Sequence, residues 1–131
     1  MREGAKQVLL VDDQPEVRSA VARLLARLGY GVQEAGSAPE AIRLARRTPF
    51  DAVLTDLHMP GMNGLELIVA LQAARPTMPV VAMSGDIGVQ VGTLDDARLL
   101  GAVMTLAKPF TREELGDAMA RVLDTGRPGA G

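Results

Sequence analysis

The sequence of 131 residues contains no cysteine and no tryptophan, and its aromatic side chains are one tyrosine and two phenylalanines. Without cysteine there is neither a disulfide framework nor a thiolate metal site. So few aromatic rings argue against base stacking, and a net charge of −2 leaves no basic surplus for direct nucleic-acid binding. No apolar run is longer than a strand, which argues against membrane insertion. The polar N-terminus has no apolar signal region and favours a cytoplasmic location.

The composition is that of a soluble globular protein, with 47% hydrophobic and 23% charged residues. The length fits one domain, which we place at residues 1–131, with a core from about 7 to 124. Residues 125–131 are rich in glycine and proline and are predicted to form a flexible tail. A chain of this size buries about two-thirds of its unfolded surface, so it can form a core without crosslinks.

Short apolar runs alternate with longer amphipathic stretches. Four runs are almost continuously apolar and predict buried parallel strands, at residues 8–11, 52–54, 80–83 and 103–107. A weaker run at 32–35 predicts an edge strand. Amphipathic patterns and capping signals predict helices at about 15–28, 39–47, 64–74, 93–101 and 112–123. This alternation predicts an α/β fold, a doubly wound five-stranded parallel sheet with helices on both faces.

Polar residues follow four of the predicted strands. Asp12 and Asp13 come after the first strand, Asp56 after the third, Ser84 after the fourth and Lys108 after the fifth. Taken singly, Asp13 could be a helix cap, Ser84 a turn residue and Lys108 part of a solvated loop. In a doubly wound sheet, however, the carboxyl ends of the strands form the ligand site.

The joint arrangement predicts a cation at this edge of the sheet. Three carboxylates brought together would repel one another by several kcal/mol at an effective dielectric constant of about 20. An all-oxygen site with few protein ligands suits Mg²⁺, which keeps some of its waters and binds phosphate. A lysine and a hydroxyl across the same edge would complete a pocket for a phosphoryl group.

These residues carry a resemblance to a known family. The segments are 9–13 (Leu-Leu-Val-Asp-Asp), 56–64 (Asp-Leu-His-Met-Pro-Gly-Met-Asn-Gly), 83–85 (Met-Ser-Gly) and 108–110 (Lys-Pro-Phe). Together they resemble the receiver domain of two-component response regulators, over about residues 7–124. The resemblance implies a flavodoxin-like sheet with strand order 2-1-3-4-5.

The resemblance also implies a phosphoacceptor and a metal site. It makes Asp56 the residue that accepts a phosphoryl group from a phosphohistidine, carried by a histidine kinase or a histidine phosphotransfer protein. Asp12, Asp13 and Asp56 are the implied Mg²⁺ ligands, together with the backbone carbonyl of His58. Such a domain is not a turnover enzyme, although it assists its own phosphorylation and slow autodephosphorylation.

Two further residues are implied to contact the phosphoryl group. Ser84 would donate a hydrogen bond to its oxygens, and Lys108 would pair with its charge. The resemblance also implies a cis bond between Lys108 and Pro109. Phosphorylation would switch the binding of an output partner that the sequence does not identify, and homodimer formation is an open alternative.

Three features depart from the usual pattern of the family. Thr105 stands three residues before the lysine, where an aromatic residue is usual, and Ser84 replaces the commoner threonine. Glycines interrupt the run 85–92, so the fourth helix is predicted to begin late, near Thr93. These features resemble stand-alone receivers and those attached to hybrid histidine kinases more than receivers fused to DNA-binding domains.

Two other functions compete with this interpretation. A phosphohydrolase of the haloacid dehalogenase type also uses an aspartyl nucleophile and Mg²⁺. That class needs a second aspartate two residues after the nucleophile, where this sequence has His58. An unphosphorylated, receiver-like interaction module would have lost an acid or the lysine, and this sequence keeps them all.

Overall fold

The computed structural model describes residues 4–57, 64–84 and 101–125. Five strands are present there: Gln7–Val11 (β1), Gly31–Ala35 (β2), Ala52–Asp56 (β3), Val80–Ser84 (β4) and Ala102–Ala107 (β5). The α-helices are Pro15–Arg27 (α1), Ala38–Arg47 (α2), Gly64–Ala74 (α3) and Arg112–Ala120 (α4). The glycine run 85–92 and the helix predicted to begin near Thr93 lie outside the described residues.

The strands form one parallel sheet in the order β2-β1-β3-β4-β5. This confirms the predicted fold class and strand order. Val11 at the end of β1 lies beside Ala35 of β2 on one side and Thr55 of β3 on the other. Ser84 at the end of β4 lies beside Ala107 of β5. The register therefore brings the carboxyl ends of all five strands to one edge.

Strand residues alternate between two apolar layers, because successive side chains point to opposite faces of the sheet. On one face, α2 and α3 bury Ala41, Leu44, Leu67, Ile68 and Leu71 against strand residues such as Leu9 and Val53. On the other face, α1 and α4 bury Val21, Leu25, Leu115 and Met119 against Val8, Leu10 and Leu54. The sheet is covered on both sides, as its apolar strands predict.

The edge strand β2 differs from the central strands. Gln33 and Glu34 are exposed and Val32 is half-buried, whereas every residue of β3 and β4 is buried. This confirms the edge position predicted from the mixed sequence of the run. Within the described residues, no helix combines the length and apolar character that crossing a bilayer requires.

Capping interactions fix the starts of two helices as predicted. The hydroxyl of Ser37 accepts a hydrogen bond from the backbone N–H of Glu40 at the start of α2. At the start of α4, Thr111 and Glu114 form a reciprocal capping box, with N···O distances of 2.8 and 3.0 Å.

The last predicted helix differs from the observed one. The α-helix ends at Ala120, and a π-helical turn, Arg121–Thr125, follows it. Val122 and Leu123 within that turn are still buried against the sheet. The apolar residues that predicted one continuous helix therefore stay buried, although the helix changes from α to π after Ala120.

Candidate functional site

The polar residues predicted from the strand ends lie together at one edge of the sheet. Asp12 directly follows β1, Asp56 ends β3, Ser84 ends β4 and Lys108 directly follows β5. Asp12 is fully buried, Asp56 and Ser84 are about 5% exposed or less, and Asp13 is half-buried. His58, whose backbone carbonyl is the remaining predicted ligand, lies outside the described residues.

Three carboxylates form a cluster at the centre of this edge. One oxygen from each of Asp12, Asp13 and Asp56 lies within 4.8 Å of the others. The clustering follows from the topology, because β1 and β3 are neighbours in the sheet although about forty residues separate them in sequence.

Lys108 is the counter-ion of the cluster. Its Nζ lies 3.2 Å from Asp12 Oδ2 and 3.4 Å from Asp56 Oδ2, so one ammonium bridges two buried carboxylates. The backbone N–H of Lys108 donates to the carbonyl of Ser84 at 2.8 Å, which ties the end of β5 to the end of β4. The bond between Lys108 and Pro109 is cis, as the resemblance implied.

Asp12 has a partner for each of its polar groups. Its Oδ1 accepts from the N–H of Gln14 at 3.0 Å, and its Oδ2 accepts from Lys108. Its own N–H donates to the carbonyl of Ala35 at 3.1 Å, and its carbonyl accepts from Arg18 Nη1 at 2.7 Å. These four contacts fix the position of both the backbone and the side chain of Asp12.

Asp13 is different, although it is the adjacent residue. Among the described residues its carboxylate accepts no hydrogen bond and forms no ion pair. The N-cap of α1 is Gln14, which makes no side-chain capping bond, so Asp13 is not the helix cap that it could have been. The carboxylate of Asp13 is therefore the accessible member of the cluster.

The donor set fits Mg²⁺. Three carboxylates and one ammonium give the cluster a formal charge of −2, which a divalent cation would neutralise. All the candidate ligands are oxygen atoms, and the half-buried position of Asp13 leaves room for the waters that Mg²⁺ retains.

Two residues at the site were not singled out from the sequence. The guanidinium of Arg18 lies between the carbonyl of Asp12 and the carboxylate of Glu34. Thr55 is fully buried, and its hydroxyl donates to the carbonyl of Asp56 at 3.1 Å. A polar residue inside an apolar strand could have pointed to Thr55, whereas nothing in the local sequence distinguishes Arg18 from the other arginines of α1.

Comparisons with known proteins agree with this geometry. Residues 8–120 match the sequence family described as the response regulator receiver domain. The DNA-binding transcriptional regulator NtrC of Azospirillum brasilense is 33% identical over 127 residues, which cover 97% of this chain. The sensory/regulatory protein RpfC of Xanthomonas campestris is 32% identical over 123 residues, or 91% of this chain.

Solved receiver domains have the same fold. One from Methanospirillum hungatei superposes with a TM-score of 0.87 at 25% identity, covering 98% of this chain and all of the other. The receiver domain of a sensor histidine kinase from Pseudomonas aeruginosa has a TM-score of 0.82 at 28% identity, covering 92% of this chain and 98% of its own. That structure is described with a magnesium ion coordinated in its active site cleft.

The match to the curated relatives is limited to one part of each. This chain spans 26% of the length of the A. brasilense regulator and 17% of the X. campestris protein. The shared part is the receiver domain, and the family match covers most of this chain. Its strand order, its cluster of acids and these matches lead to one conclusion: the chain belongs to the response regulator receiver domain family of two-component signalling.

Proposed function

We propose that Asp56 accepts a phosphoryl group from a phosphohistidine, with Mg²⁺ held by Asp12, Asp13 and Asp56, and that this modification switches partner binding. The observation that carries the proposal is the bridging position of Lys108, 3.4 Å from Asp56 and 3.2 Å from Asp12. One ammonium shared by two buried acids neutralises only part of their charge. The remaining charge suits a divalent cation.

In the proposed transfer, a carboxylate oxygen of Asp56 forms a bond to phosphorus as the P–N bond of the phosphohistidine breaks. The electron pair of that bond stays with the imidazole nitrogen, which takes up a proton from solvent. Phosphoryl transfer depends mainly on positioning and on neutralising the charge of the phosphoryl oxygens. Mg²⁺ bound at the acids would supply part of that neutralisation.

Lys108 and Ser84 have complementary parts in this proposal. Lys108 orients the Asp56 carboxylate before transfer and pairs with the new phosphoryl charge afterwards. Ser84 ends the strand next to β3, so its hydroxyl can donate a hydrogen bond to a phosphoryl oxygen on Asp56. The carbonyl of His58 is proposed as a further metal ligand.

The surface beside Lys108 supports docking of a protein that carries the phosphohistidine. An apolar groove of about 580 Å³ runs between α1 and the segment after β5. Its apolar lining consists of Val17, Ala20, Val21, Leu24, Pro109 and Phe110. Lys108 lies at the groove, so a histidine kinase or phosphotransfer protein seated there would present its histidine to Asp56. This exchange is proposed to take place in the cytoplasm.

An aspartyl phosphate is a mixed anhydride and hydrolyses, so the proposed switch resets itself without catalytic turnover of an external substrate. A phosphohydrolase of the haloacid dehalogenase type would instead release phosphate continuously from a generic phosphomonoester. Absence of sustained release is the result that we expect. Neither direct nucleic-acid binding nor a homodimer is part of the proposal.

The test is phosphorylation by acetyl phosphate in the presence of Mg²⁺, followed by intact-mass spectrometry. The wild-type chain should gain one phosphoryl group in a base-labile linkage, and Asp56→Asn should gain none. Asp51→Asn is the matched control, because Asp51 lies just before β3, at the opposite end of that strand. Equal labelling of Asp56→Asn and the wild type would refute the proposal.

A further inference from the structure

Arg18 connects the acidic cluster to the edge strand. Its Nη1 donates to the backbone carbonyl of Asp12 at 2.7 Å, and its Nε donates to Glu34 Oε1 at 3.0 Å. The guanidinium is planar and rigid, so these two bonds in different directions fix its orientation. Arg18 therefore holds one peptide group at the end of β1 against a side chain of β2.

The peptide group that Arg18 holds is the one that leads into Asp13. The carbonyl of Asp12 and the N–H of Asp13 belong to the same planar unit, so fixing the carbonyl fixes that plane. The N–H of Asp12 is held separately by the carbonyl of Ala35. With both sides of Asp12 anchored, the direction in which the chain enters Asp13 is set.

Asp13 needs this support more than its neighbours do. The side chains of Asp12 and Asp56 are fixed by Lys108, whereas the carboxylate of Asp13 has no hydrogen bond or ion pair among the described residues. Its position within 4.8 Å of the other two carboxylates depends on the backbone that carries it. That backbone is what the guanidinium of Arg18 holds.

Gly36 lies closely against the same guanidinium. A Cβ atom at position 36 would lie 2.9 Å from Arg18 Nη1, inside normal contact distance. The contact is with the end of a flexible side chain, so an alanine there would displace the guanidinium at little cost to the fold. Residue 36 thus offers a second way to disturb Arg18 without removing it.

We propose that Arg18 is a positioning residue for the divalent-cation site, acting through the Asp12–Asp13 peptide to place the Asp13 carboxylate. The inference rests on the proposed function, because it concerns the Mg²⁺ site described there. Removal of a partner that orients a metal ligand typically lowers metal affinity 10-fold or more. We expect Arg18→Gln to weaken Mg²⁺ binding by about 10-fold.

The sign of this effect separates positioning from simple electrostatics. Arg18 is a positive charge near the proposed cation, so its removal should tighten Mg²⁺ binding if charge alone mattered. Arg18→Lys keeps the charge but replaces the two-directional donor with a compact ammonium. Positioning predicts weaker binding in both variants, whereas a charge effect predicts tighter binding in the first and no change in the second.

The experiment measures the Kd of Mg²⁺ by isothermal titration calorimetry and the metal-free Tm of each variant. The control is Arg23→Gln, which removes an exposed arginine from the same helix that has no ion pair among the described residues. We expect weaker Mg²⁺ binding in Arg18→Gln, Arg18→Lys and Gly36→Ala, and unchanged or tighter binding in the control. The metal-free Tm of Gly36→Ala should stay close to that of the wild type.

Wild-type Mg²⁺ affinity in either folded Arg18 variant overturns the inference. If both of those variants fail to fold, the affinity of Gly36→Ala decides in the same way. A wild-type chain that binds no Mg²⁺ contradicts the proposed site itself, and the inference falls with it. Failure of the inference alone therefore looks different from failure of the proposed function.

A double-mutant cycle tests the route through Asp13. Once Asp13→Asn has removed the carboxylate that Arg18 positions, adding Arg18→Gln should weaken Mg²⁺ binding much less than it does in the wild-type background. Fully additive losses would show that Arg18 acts on the cation site by another path and would overturn this part of the inference.

Discussion

The two ends of the parallel sheet differ in whether they bury polar side chains. At the amino ends of the strands the buried residues are apolar, namely Val8, Ala52, Val80 and Ala102. At the carboxyl ends lie all four buried polar or charged side chains of the described residues, which are Asp12, Thr55, Asp56 and Ser84. Among the described residues, the strands therefore bury only apolar side chains near their amino ends, and both apolar and polar side chains near their carboxyl ends.

At the amino ends of the strands, the carboxylate of Asp51 forms a hydrogen bond to a neighbouring strand instead of joining a cluster of acids. Asp51, just before β3, accepts a hydrogen bond from the N–H of Gln7 at 2.7 Å and donates its own N–H to the carbonyl of Gln7 at the same distance. Its carboxylate thus connects the start of β1 to the residue just before β3. The carboxylates at the other end crowd together instead, which costs stability unless a cation is present.

The largest effect on stability is expected from Lys108→Ala. The variant leaves two buried carboxylates without their ammonium, and loss of one partner of a buried ion pair costs about 3–5 kcal/mol. Urea unfolding without metal should show this loss, and added Mg²⁺ should restore part of it.

Lys6→Ala is the control for Lys108→Ala. Lys6 is the only other lysine, and its side chain forms no ion pair among the described residues. Equal stability of the two variants would mean that Lys108 is not the counter-ion of the acids.

Leu9→Ala tests the apolar packing of the central sheet. Leu9 is fully buried in β1, and such truncations cost about 2–5 kcal/mol. The Kd of Mg²⁺ for the folded protein should not change, because the cavity lies in the core. Val69→Ala, at a side chain about 50% exposed, should cost less than about 0.5 kcal/mol. Equal losses in the two variants would contradict the assignment of Leu9 to the core.

Mg²⁺ should reverse the penalty at the carboxyl end. At a free concentration of about 100 times its Kd, it should raise the free energy of unfolding by about 2.7 kcal/mol. Asp51→Asn should keep this stabilisation in full, whereas Asp56→Asn should lose most of it. Equal stabilisation of these two variants would place the cation elsewhere.

Among the variants at the acidic cluster, Asp13→Asn is expected to change stability least. The substitution removes one of three clustered negative charges and breaks no hydrogen bond or ion pair among the described residues. We expect the metal-free free energy of unfolding to rise by about 0.5–2 kcal/mol and the affinity for Mg²⁺ to fall. Lower metal-free stability in urea unfolding would show that Asp13 supports the fold.

The fold and the location of the site could be predicted from the sequence because both follow from local patterns. Apolar runs marked the strands, and their polar ends marked the edge where Asp56 and Lys108 meet. The different environments of Asp12 and Asp13 could not be predicted. These identical, adjacent residues differ because only Asp12 pairs its N–H with Ala35 and points its carboxylate toward Lys108.

The contacts of Arg18 could not be predicted from local sequence patterns either. They depend on the position of β2, which brings Glu34 and Gly36 to the side of α1. Asp51 shows the same limit, because nothing in the local sequence indicates its hydrogen bonds to the backbone of Gln7. In each case the partner is distant in sequence and is brought close by the strand order.

Identifying the phosphorylated residue tests most directly whether Asp56 is the phosphoacceptor. After treatment with acetyl phosphate and Mg²⁺, borohydride reduces an aspartyl phosphate to homoserine, and peptide mass spectrometry locates it. We expect homoserine at position 56 and nowhere else. Homoserine at position 12, 13 or 51, or none at all under conditions where Mg²⁺ binds, would contradict this expectation.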